Sequence, residues 1–232
     1  MYQISLQRRH FNWLMVSFFY AGFCLPLWAS ETTPKANAKP IPNAEKIVLV
    51  VGDSLSAEYG LTRGTGWVQL MSEQAAKETV NLKIMNASIS GDTSSGGLNR
   101  LPQLLKMHKP HVLIVELGGN DALRGLSMKM TQQNLSAMAN EGKKKGTKVM
   151  VIGMQMPPNY GANYAQQMAQ AYQMVSKETG AELNNQFLKG IADEADSLKW
   201  FQPDRIHPNE GAQSTMMKNI WPQLKKMLAE IK

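Results

Sequence analysis

The sequence is almost free of cysteine: Cys24 is the only one among 232 residues. It lies in an N-terminal apolar segment that has the features of a removable signal peptide, so the mature chain is expected to contain none. A chain without cysteine forms no disulfide and offers no thiolate to a metal or a substrate. A disulfide-built miniprotein and a cysteine-dependent enzyme are therefore excluded, and an oxidising compartment would not damage the protein.

Aromatic and charged residues are also scarce, at 7% and 19%, whereas 43% of the residues are hydrophobic. This composition can form a sizeable core and excludes a collagen or a disordered tail. The formal net charge of +7 raises the possibility of a nucleic-acid partner. However, the densest basic run, 143–145, directly precedes Gly146, where cations favour a helix C-terminus, and no aromatic platform accompanies it. We therefore predict no nucleic-acid partner.

The first 29 residues have the pattern of a secretory signal peptide. Arg8 and Arg9 precede an apolar stretch over 11–27, and the small residues Ala29 and Ser30 follow. Cleavage is expected after Ala29, with Ser30 or Ala38 as alternative positions. An uncleaved membrane anchor is the other possibility, since the stretch is close to the roughly 17 residues that can span a bilayer. The pattern predicts export to the periplasm or the extracellular space, without stable membrane insertion after cleavage.

The rest of the chain is predicted to be a flexible leader over 30–44 and one domain over 45–232. Short β-branched apolar runs alternate in the domain with segments whose apolar residues recur every three or four positions. Strands are predicted at 46–51, 80–87, 111–117, 148–154 and 181–184, and helices near 67–75, 98–108, 131–145, 164–177 and 209–231. This alternation predicts an α/β fold with a mostly parallel five-stranded sheet and helices on both faces.

Polar, glycine-bearing sequences follow the first three predicted strands, and a fourth polar sequence precedes the last helix. They are Gly52-Asp53-Ser54, Ser90-Gly91-Asp92, Gly118-Gly119-Asn120-Asp121 and Asp204-Arg205-Ile206-His207. In parallel α/β sheets, functional groups collect at the carboxyl ends of the strands. We therefore expect these sequences to meet at one edge of the sheet.

These four sequences resemble the blocks of the GDSL, or SGNH, hydrolases. The similarity extends through NASISGDTSSGGLNRLP, VELGGNDALRG and MPPNYG, and it covers 47–224. It indicates the bacterial periplasmic thioesterase I, arylesterase and lysophospholipase type. The resemblance implies a three-layer α/β/α, flavodoxin-like fold over 45–232, and a monomeric carboxylic ester hydrolase with thioesterase activity. It also implies an acyl ester or thioester as the small-molecule substrate, with no metal and no cofactor.

The residues of these blocks can supply a nucleophile, a base and an acid. A serine hydroxyl needs a base within hydrogen-bond reach, most often an imidazole oriented by a carboxylate. His207 follows Asp204 by three residues, so in a turn the carboxylate can meet Nδ1 and leave Nε2 for Ser54. His108 falls on a predicted helix and His111 begins a strand at the opposite end of the sheet, which favours structural roles. The predicted catalytic residues are Ser54, Asp204 and His207.

Acyl transfer also needs hydrogen-bond donors for the developing oxyanion. The resemblance implies the N–H groups of Ser54 and Gly91 and the side-chain amide of Asn120. Glycine suits such a position because no Cβ keeps the backbone from the substrate. Asp53 is a rival for the acid, but adjacent residues leaving a strand point to opposite sides, so a role in ordering the loop is expected.

Two loops are expected to border the cleft and to line the path of an acyl chain. The candidate residues are Leu123 and Leu126 after the third strand, and Met156, Pro157 and Tyr160 after the fourth. Glu58 either faces the cleft, where it would disfavour anionic thioesters, or lies outward in a solvated helix. Transient contact with lipid is compatible with this apolar rim.

Two other functions remain open at this point. A carbohydrate O-acetyl esterase uses the same fold and the same blocks, but it would prefer acetate. A catalytically silent lipid-binding module would retain the fold without turnover, although the complete set of serine, glycine, asparagine, aspartate and histidine argues against it.

Overall fold

The structure is a computed structural model and describes residues 45–155 and 161–231. The predicted signal peptide at 1–29 and leader at 30–44 lie outside the described residues. The same holds for three of the predicted substrate-binding residues, Met156, Pro157 and Tyr160.

Strands and helices alternate as predicted. The strands are β1 (Lys46–Gly52), β2 (Leu82–Asn86), β3 (Val112–Glu116), β4 (Lys148–Ile152) and β5 (Glu182–Asn184). The helices are α1 (Trp67–Lys77), α2 (Ser94–His108), α3 (Gly119–Leu123), α4 (Met128–Lys144), α5 (Ala162–Thr179) and α6 (Glu210–Ala229), with a 3₁₀ turn at Ser197–Trp200. All four strand pairings are parallel, in the order β2-β1-β3-β4-β5. The predicted α/β/α, flavodoxin-like fold is confirmed.

The central strands β1 and β3 are buried on both faces, which explains their continuous apolar sequences. Alternate residues of β1 point to opposite layers: Val48 and Val50 pack with α1 and α6. Leu49 and Val51 pack with α2, α4 and α5. The sheet is therefore covered on both sides, and its carboxyl edge is where the loops are free to form a site.

Strand β2 is shorter than the predicted 80–87 because the chain before it closes α1. The Val80 N–H donates to the Ala75 carbonyl at 2.9 Å, and Thr79 has a left-handed φ of 55°. The Val80 N–H is therefore not available to the sheet. Helix α3 was not predicted, since five residues are too few to display a helical period of apolar side chains.

Arg100 of α2 fastens the carboxyl ends of β1 and β2 together. Its guanidinium donates to the carbonyls of Ala87 and Gly52 and pairs with the Asp92 carboxylate, the last at 2.8 Å. Arg100 therefore holds the start of the loop that carries Ser54 close to the start of the loop that carries Gly91.

Within 45–155 and 161–231, no helix combines the length and the apolarity needed to cross a membrane.

Candidate active site

Ser54 and His207 meet at the carboxyl edge of the sheet, although 153 residues separate them. Ser54 lies in the turn after β1 and is 8% exposed. His207 lies in the loop before α6, and its Nε2 is 2.8 Å from the Ser54 Oγ. Its Nδ1 is 2.7 Å from Oδ2 of Asp204. A hydroxyl, an imidazole and a carboxylate thus stand in series, as general-base activation of a serine requires.

The turn that holds Asp204 and His207 is closed by the carboxylate itself. Asp204 Oδ1 accepts hydrogen bonds from the N–H groups of Ile206 and His207 at 2.9 and 3.0 Å. Although burial acts to raise the pKa of Asp204, these two N–H groups and the His207 ring lower it below its ordinary value. The carboxylate is therefore ionised and can hold Nδ1–H of the imidazole.

Two residues that the sequence did not single out join the nucleophile turn to the histidine loop. The Gln202 side chain donates to the Tyr59 carbonyl at 2.8 Å, and its backbone N–H donates to the His207 carbonyl at 2.8 Å. The Tyr59 ring lies against the His207 ring, with centroids 4.5 Å apart. Neither residue belongs to a recognisable block, so only the folded chain brings out their roles.

The three predicted oxyanion donors lie on the turn after β1, on the loop after β2 and in α3. Among the described residues, the N–H groups of Ser54 and Gly91 donate to no other group. Gly91 has a φ of 78°, which only glycine adopts without strain, and its carbonyl accepts from Arg124 at 2.7 Å. The N–H of Ile89 donates to the Gly52 carbonyl at 3.0 Å, which brings the Gly91 loop against the end of β1.

The third donor, the Asn120 amide, is held by Asp53. Asn120 Nδ2 donates to Asp53 Oδ2 at 3.0 Å, and the N–H of Leu55 donates to Oδ1 at 3.1 Å. Burial raises the pKa of Asp53 to about 6, while the bonds from Leu55 and Asn120 and the nearby His207 act in the opposite direction. Asp53 therefore caps the turn after Ser54 and positions Asn120, and the carboxylate bonded to the His207 ring is that of Asp204.

A buried acid at the end of β3, Glu116, was also missed in the sequence. Its Oε2 accepts from the Asp53 N–H at 3.2 Å and from the Ser56 hydroxyl at 2.7 Å. Burial and the neighbouring Asp53 carboxylate raise the pKa of Glu116 well above its ordinary value. An acidic residue inside the apolar run HVLIVEL is the sequence signal that could have identified it.

The other histidines of the domain lie away from Ser54. His111 precedes β3 at the opposite end of the sheet, and its Nδ1 accepts from the Ile47 N–H at 2.9 Å. His108 is the last residue of α2. Their positions are those expected of structural residues.

The predicted lining residues that the structure describes lie on α3 and the loop that follows it. Leu123 is half-buried, whereas Leu126 is exposed and its carbonyl accepts from the Tyr164 hydroxyl at 2.8 Å. Met128 is buried at the start of α4. Of these three residues, Leu126 therefore has the most exposed side chain.

Glu58 does not lie in a solvated helix, and its carboxylate is hydrogen-bonded within the protein. It lies in the turn after Ser54 with a left-handed φ of 59°, so its placement in a helix is wrong. Its carboxylate accepts from the N–H groups of Gly64 and Gly66, at 3.0 and 2.9 Å. The side chain therefore braces the loop that leads into α1.

Because the Glu58 carboxylate is already bonded to this loop, Glu58→Ala is expected to leave the ratio of aryl-ester to acyl-CoA turnover unchanged. The lost loop bonds should lower the free energy of unfolding by about 1 kcal/mol. Steady-state kinetics on both substrates and thermal melting measure the two effects. A selective gain in acyl-CoA turnover would show that Glu58 repels anionic substrates.

The chain is similar to several known hydrolases. The GDSL-like lipase/acylhydrolase family matches residues 50–213. The sequence is 44% identical to "Esterase TesA" of Pseudomonas aeruginosa over 185 residues, which cover 80% of this chain and 90% of that protein. It is 38% identical to "Thioesterase 1/protease 1/lysophospholipase L1" of Escherichia coli over 172 residues, covering 73% and 79%.

A solved structure has the same fold. The psychrotrophic esterase EstA from Pseudoalteromonas sp., in a crystal structure inhibited by monoethylphosphonate, aligns with a TM-score of 0.75 and 36% identity. The alignment covers 80% of this chain and 100% of that one.

Proposed function

Because the chain belongs to the GDSL-like lipase/acylhydrolase family and is a carboxylic ester hydrolase, we propose that it cleaves acyl esters and thioesters through an acyl-enzyme on Ser54. The observation that carries the proposal is the series of short contacts from Ser54 through His207 to Asp204, at 2.8 and 2.7 Å. The series is complete without a residue from a second copy of the chain, and we propose a monomeric enzyme.

In the first step the Ser54 Oγ attacks the carbonyl carbon while His207 Nε2 takes the hydroxyl proton. Asp204 accepts from Nδ1–H and stabilises the imidazolium that forms. The negative charge on the carbonyl oxygen is received by the N–H groups of Ser54 and Gly91 and by the Asn120 amide. The imidazolium then gives its proton to the leaving alcohol or thiol, and the acyl group stays on Ser54.

In the second step water attacks the acyl-enzyme. His207 takes a proton from the water, and the same donors receive the second oxyanion. Collapse of this intermediate breaks the bond to Ser54 Oγ, returns the proton from His207 to the serine, and releases the carboxylic acid. The chain's own residues supply every proton transfer in this cycle.

The surface around Ser54 supports acyl chains longer than acetate as substrates. Exposed apolar side chains occur on each of the four loops that carry the site: Tyr59, Ile89, Leu126 and Ile206. An acyl chain lying on these groups removes apolar area from water, which stabilises its complex with the enzyme. Contact with lipid is proposed for the same reason. The segment with Met156, Pro157 and Tyr160 is proposed to extend this lining, on the basis of its sequence position after β4.

The N-terminal pattern of two arginines, an apolar stretch and small residues supports export of the enzyme. We propose that residues 1–29 are removed, that 30–44 form a leader, and that the hydrolase domain covers 45–232. Mass spectrometry of the exported protein, with Ala29 as the expected last residue removed, tests the cleavage site.

A chain-length series tests the substrate class. For p-nitrophenyl esters, we expect kcat/KM to be at least about tenfold higher for octanoate than for acetate. Each additional methylene that contacts the exposed apolar side chains around Ser54 is removed from water, which stabilises the complex. A lysophospholipid and an acyl-CoA complete the series. Activity confined to acetate would instead identify a carbohydrate O-acetyl esterase.

The absence of both turnover and labelling by a fluorophosphonate would identify a lipid-binding module. Ser54→Ala serves as the control for spontaneous ester hydrolysis in the chain-length series. A profile that is flat from acetate to octanoate would contradict the proposed role of the apolar rim.

A further inference from the structure

Beneath the nucleophile turn lie two carboxyl groups that take no part in the series from Ser54 to Asp204. Asp53 is 2% exposed and Glu116 is fully buried. They are joined through the Asp53 N–H, which donates to Glu116 Oε2 at 3.2 Å. The same oxygen accepts from the Ser56 hydroxyl, so Glu116 holds both sides of Ser54 in the turn. Two acids so close together in the core require a physical explanation.

The surroundings of Glu116 favour its neutral form. Within the described parts of the chain it forms no ion pair, and its Oε1 is buried without a hydrogen-bond partner. A buried carboxylate without donors on one oxygen and without a cation is strongly disfavoured, so the proton is retained. The direction of its pKa shift agrees, since burial and the adjacent Asp53 charge both raise it.

The other charged and titratable groups near the pair are few. His207 is close enough to Asp53 to lower the pKa of that acid. On α5, the buried Tyr172 has its pKa raised, mainly by burial and also by the acids at 116, 53 and 121. From α2, Arg100 reaches the Gly52 carbonyl. Both oxygens of Asp53 accept hydrogen bonds, Oδ1 from the Leu55 N–H and Oδ2 from Asn120 Nδ2, which favours the negative charge on Asp53.

An ionised Asp53 determines which way the Asn120 carboxamide points. A carboxylate can only accept hydrogen bonds, so it must face the amide nitrogen and not the amide oxygen. One hydrogen of Asn120 Nδ2 is donated to Asp53 Oδ2 at 3.0 Å, and the second has no hydrogen-bond partner among the described residues. That second hydrogen remains for a substrate oxygen.

We propose that Asp53 and Glu116 form a buried acid pair that carries one negative charge, located on Asp53, and that this charge positions Asn120 as a donor to the oxyanion. The inference rests on the proposed function, since it assumes the role of Asn120 in acyl transfer. Glu116 acts as a neutral acid that fixes the backbone of Asp53. Both are positioning residues, since neither contacts the reacting atoms.

A double-mutant cycle between positions 53 and 120 tests this inference. Asn120→Ala should lower kcat for p-nitrophenyl octanoate about 100-fold, as loss of one oxyanion donor does. Asp53→Asn should lower kcat at least tenfold with KM changed less than twofold, because an amide at 53 can face either end of Asn120. The double variant should be no slower than Asn120→Ala alone, since Asp53 acts through Asn120.

Asp121→Asn is the matched control for the cycle. Asp121 is equally buried and adjacent in sequence to Asn120, but its carboxylate accepts from Ser94 and Thr131. Its effect on kcat should multiply with that of Asn120→Ala. If the losses at 53 and 120 also multiply, or if Asp53→Asn keeps the full kcat, the positioning role of Asp53 is overturned. An unchanged kcat in Asn120→Ala would instead contradict the proposed oxyanion site itself.

Two substitutions at Glu116 test its neutral form independently. Glu116→Met removes the acceptor for Ser56 and Asp53 and should lower kcat at least tenfold, whereas Glu116→Gln, which resembles a neutral acid, should recover most of it. A Gln variant as slow as the Met variant would show that the charge of Glu116 is required. Circular dichroism confirms that each variant is folded.

The pH dependence of stability gives a second measurement on Glu116. Its pKa in the folded chain lies above the ordinary value of 4.5, so the folded protein retains a proton that the unfolded chain has lost. This group therefore makes stability fall as pH rises above 4.5. Glu116→Gln removes that fall, and its Tm relative to the wild type should rise by at least about 3 °C between pH 5 and pH 8. A constant difference would overturn the proposal.

Discussion

Ser54→Ala is expected to lower kcat for an aryl ester by at least about 10⁴-fold while leaving the fold intact. The substitution removes only the hydroxyl group, whose oxygen lies 2.8 Å from His207 Nε2 and is proposed to form the acyl bond. Without it, the remaining oxyanion donors act only on a direct attack by water. Steady-state kinetics at saturating p-nitrophenyl octanoate, together with a thermal melt, measure both parts of the expectation.

Ser88→Ala is the matched control for this loss. Ser88 lies in the loop after β2, and its hydroxyl is buried with no hydrogen-bond partner among the described residues. Its removal should leave kcat within about twofold, as is usual for substitutions away from special contacts. A fluorophosphonate should add its mass to the peptide containing Ser54 in the control and not in Ser54→Ala. Near-native turnover by Ser54→Ala would refute the assignment of the nucleophile.

His207→Ala is expected to cause a loss of similar size, about 10⁴-fold or more, because the serine then has no base. The double variant Ser54→Ala/His207→Ala should be no slower than either single variant, since the two side chains act as one unit. Losses that multiply in the double variant would show that the two groups act separately. The measurement is kcat for all three variants under one set of conditions.

The effect of Asp204→Asn should be at least tenfold smaller than that of His207→Ala, because Asp204 orients the imidazole and does not itself take the proton. Asparagine can still accept from the N–H groups of Ile206 and His207, so the turn is preserved. An Asp204→Asn variant with full activity would show that the acid partner is a different group.

Much of the fold could be predicted from the sequence because local patterns report burial directly. The runs KIVLVV and HVLIVEL are short and rich in β-branched residues, which is typical of strands buried on both faces. Parallel order then brings the polar sequences after β1, β2 and β3 to one edge. The expected positions of Ser54, Gly91 and Asn120 followed from this rule, whereas the expected contact of Asp204 with His207 followed from their three-residue spacing.

Other features could not be predicted because they depend on contacts between residues far apart in the chain. The Tyr59 ring meets the His207 ring beside the hydrogen bond from Gln202 to the Tyr59 carbonyl. Glu58 has a left-handed φ, and its carboxylate accepts from the N–H groups of the loop before α1. Helix α3 is too short to show a period. In these places no local pattern distinguishes a side chain that braces a loop from one exposed to solvent.

Local sequence patterns were enough to predict the order of strands and helices, the edge of the sheet that carries the site, and the hydroxyl, imidazole and carboxylate of the site. Those features follow from periodicity and from residue type, which are local. The folded chain was needed to show that Asp53 holds Asn120 and that Glu116 lies buried beneath the nucleophile turn, and it places the predicted Asp204 against the His207 ring. Hydrogen bonding and charge burial depend on distances of about 3 Å between residues that lie far apart in the chain, and folding alone sets those distances.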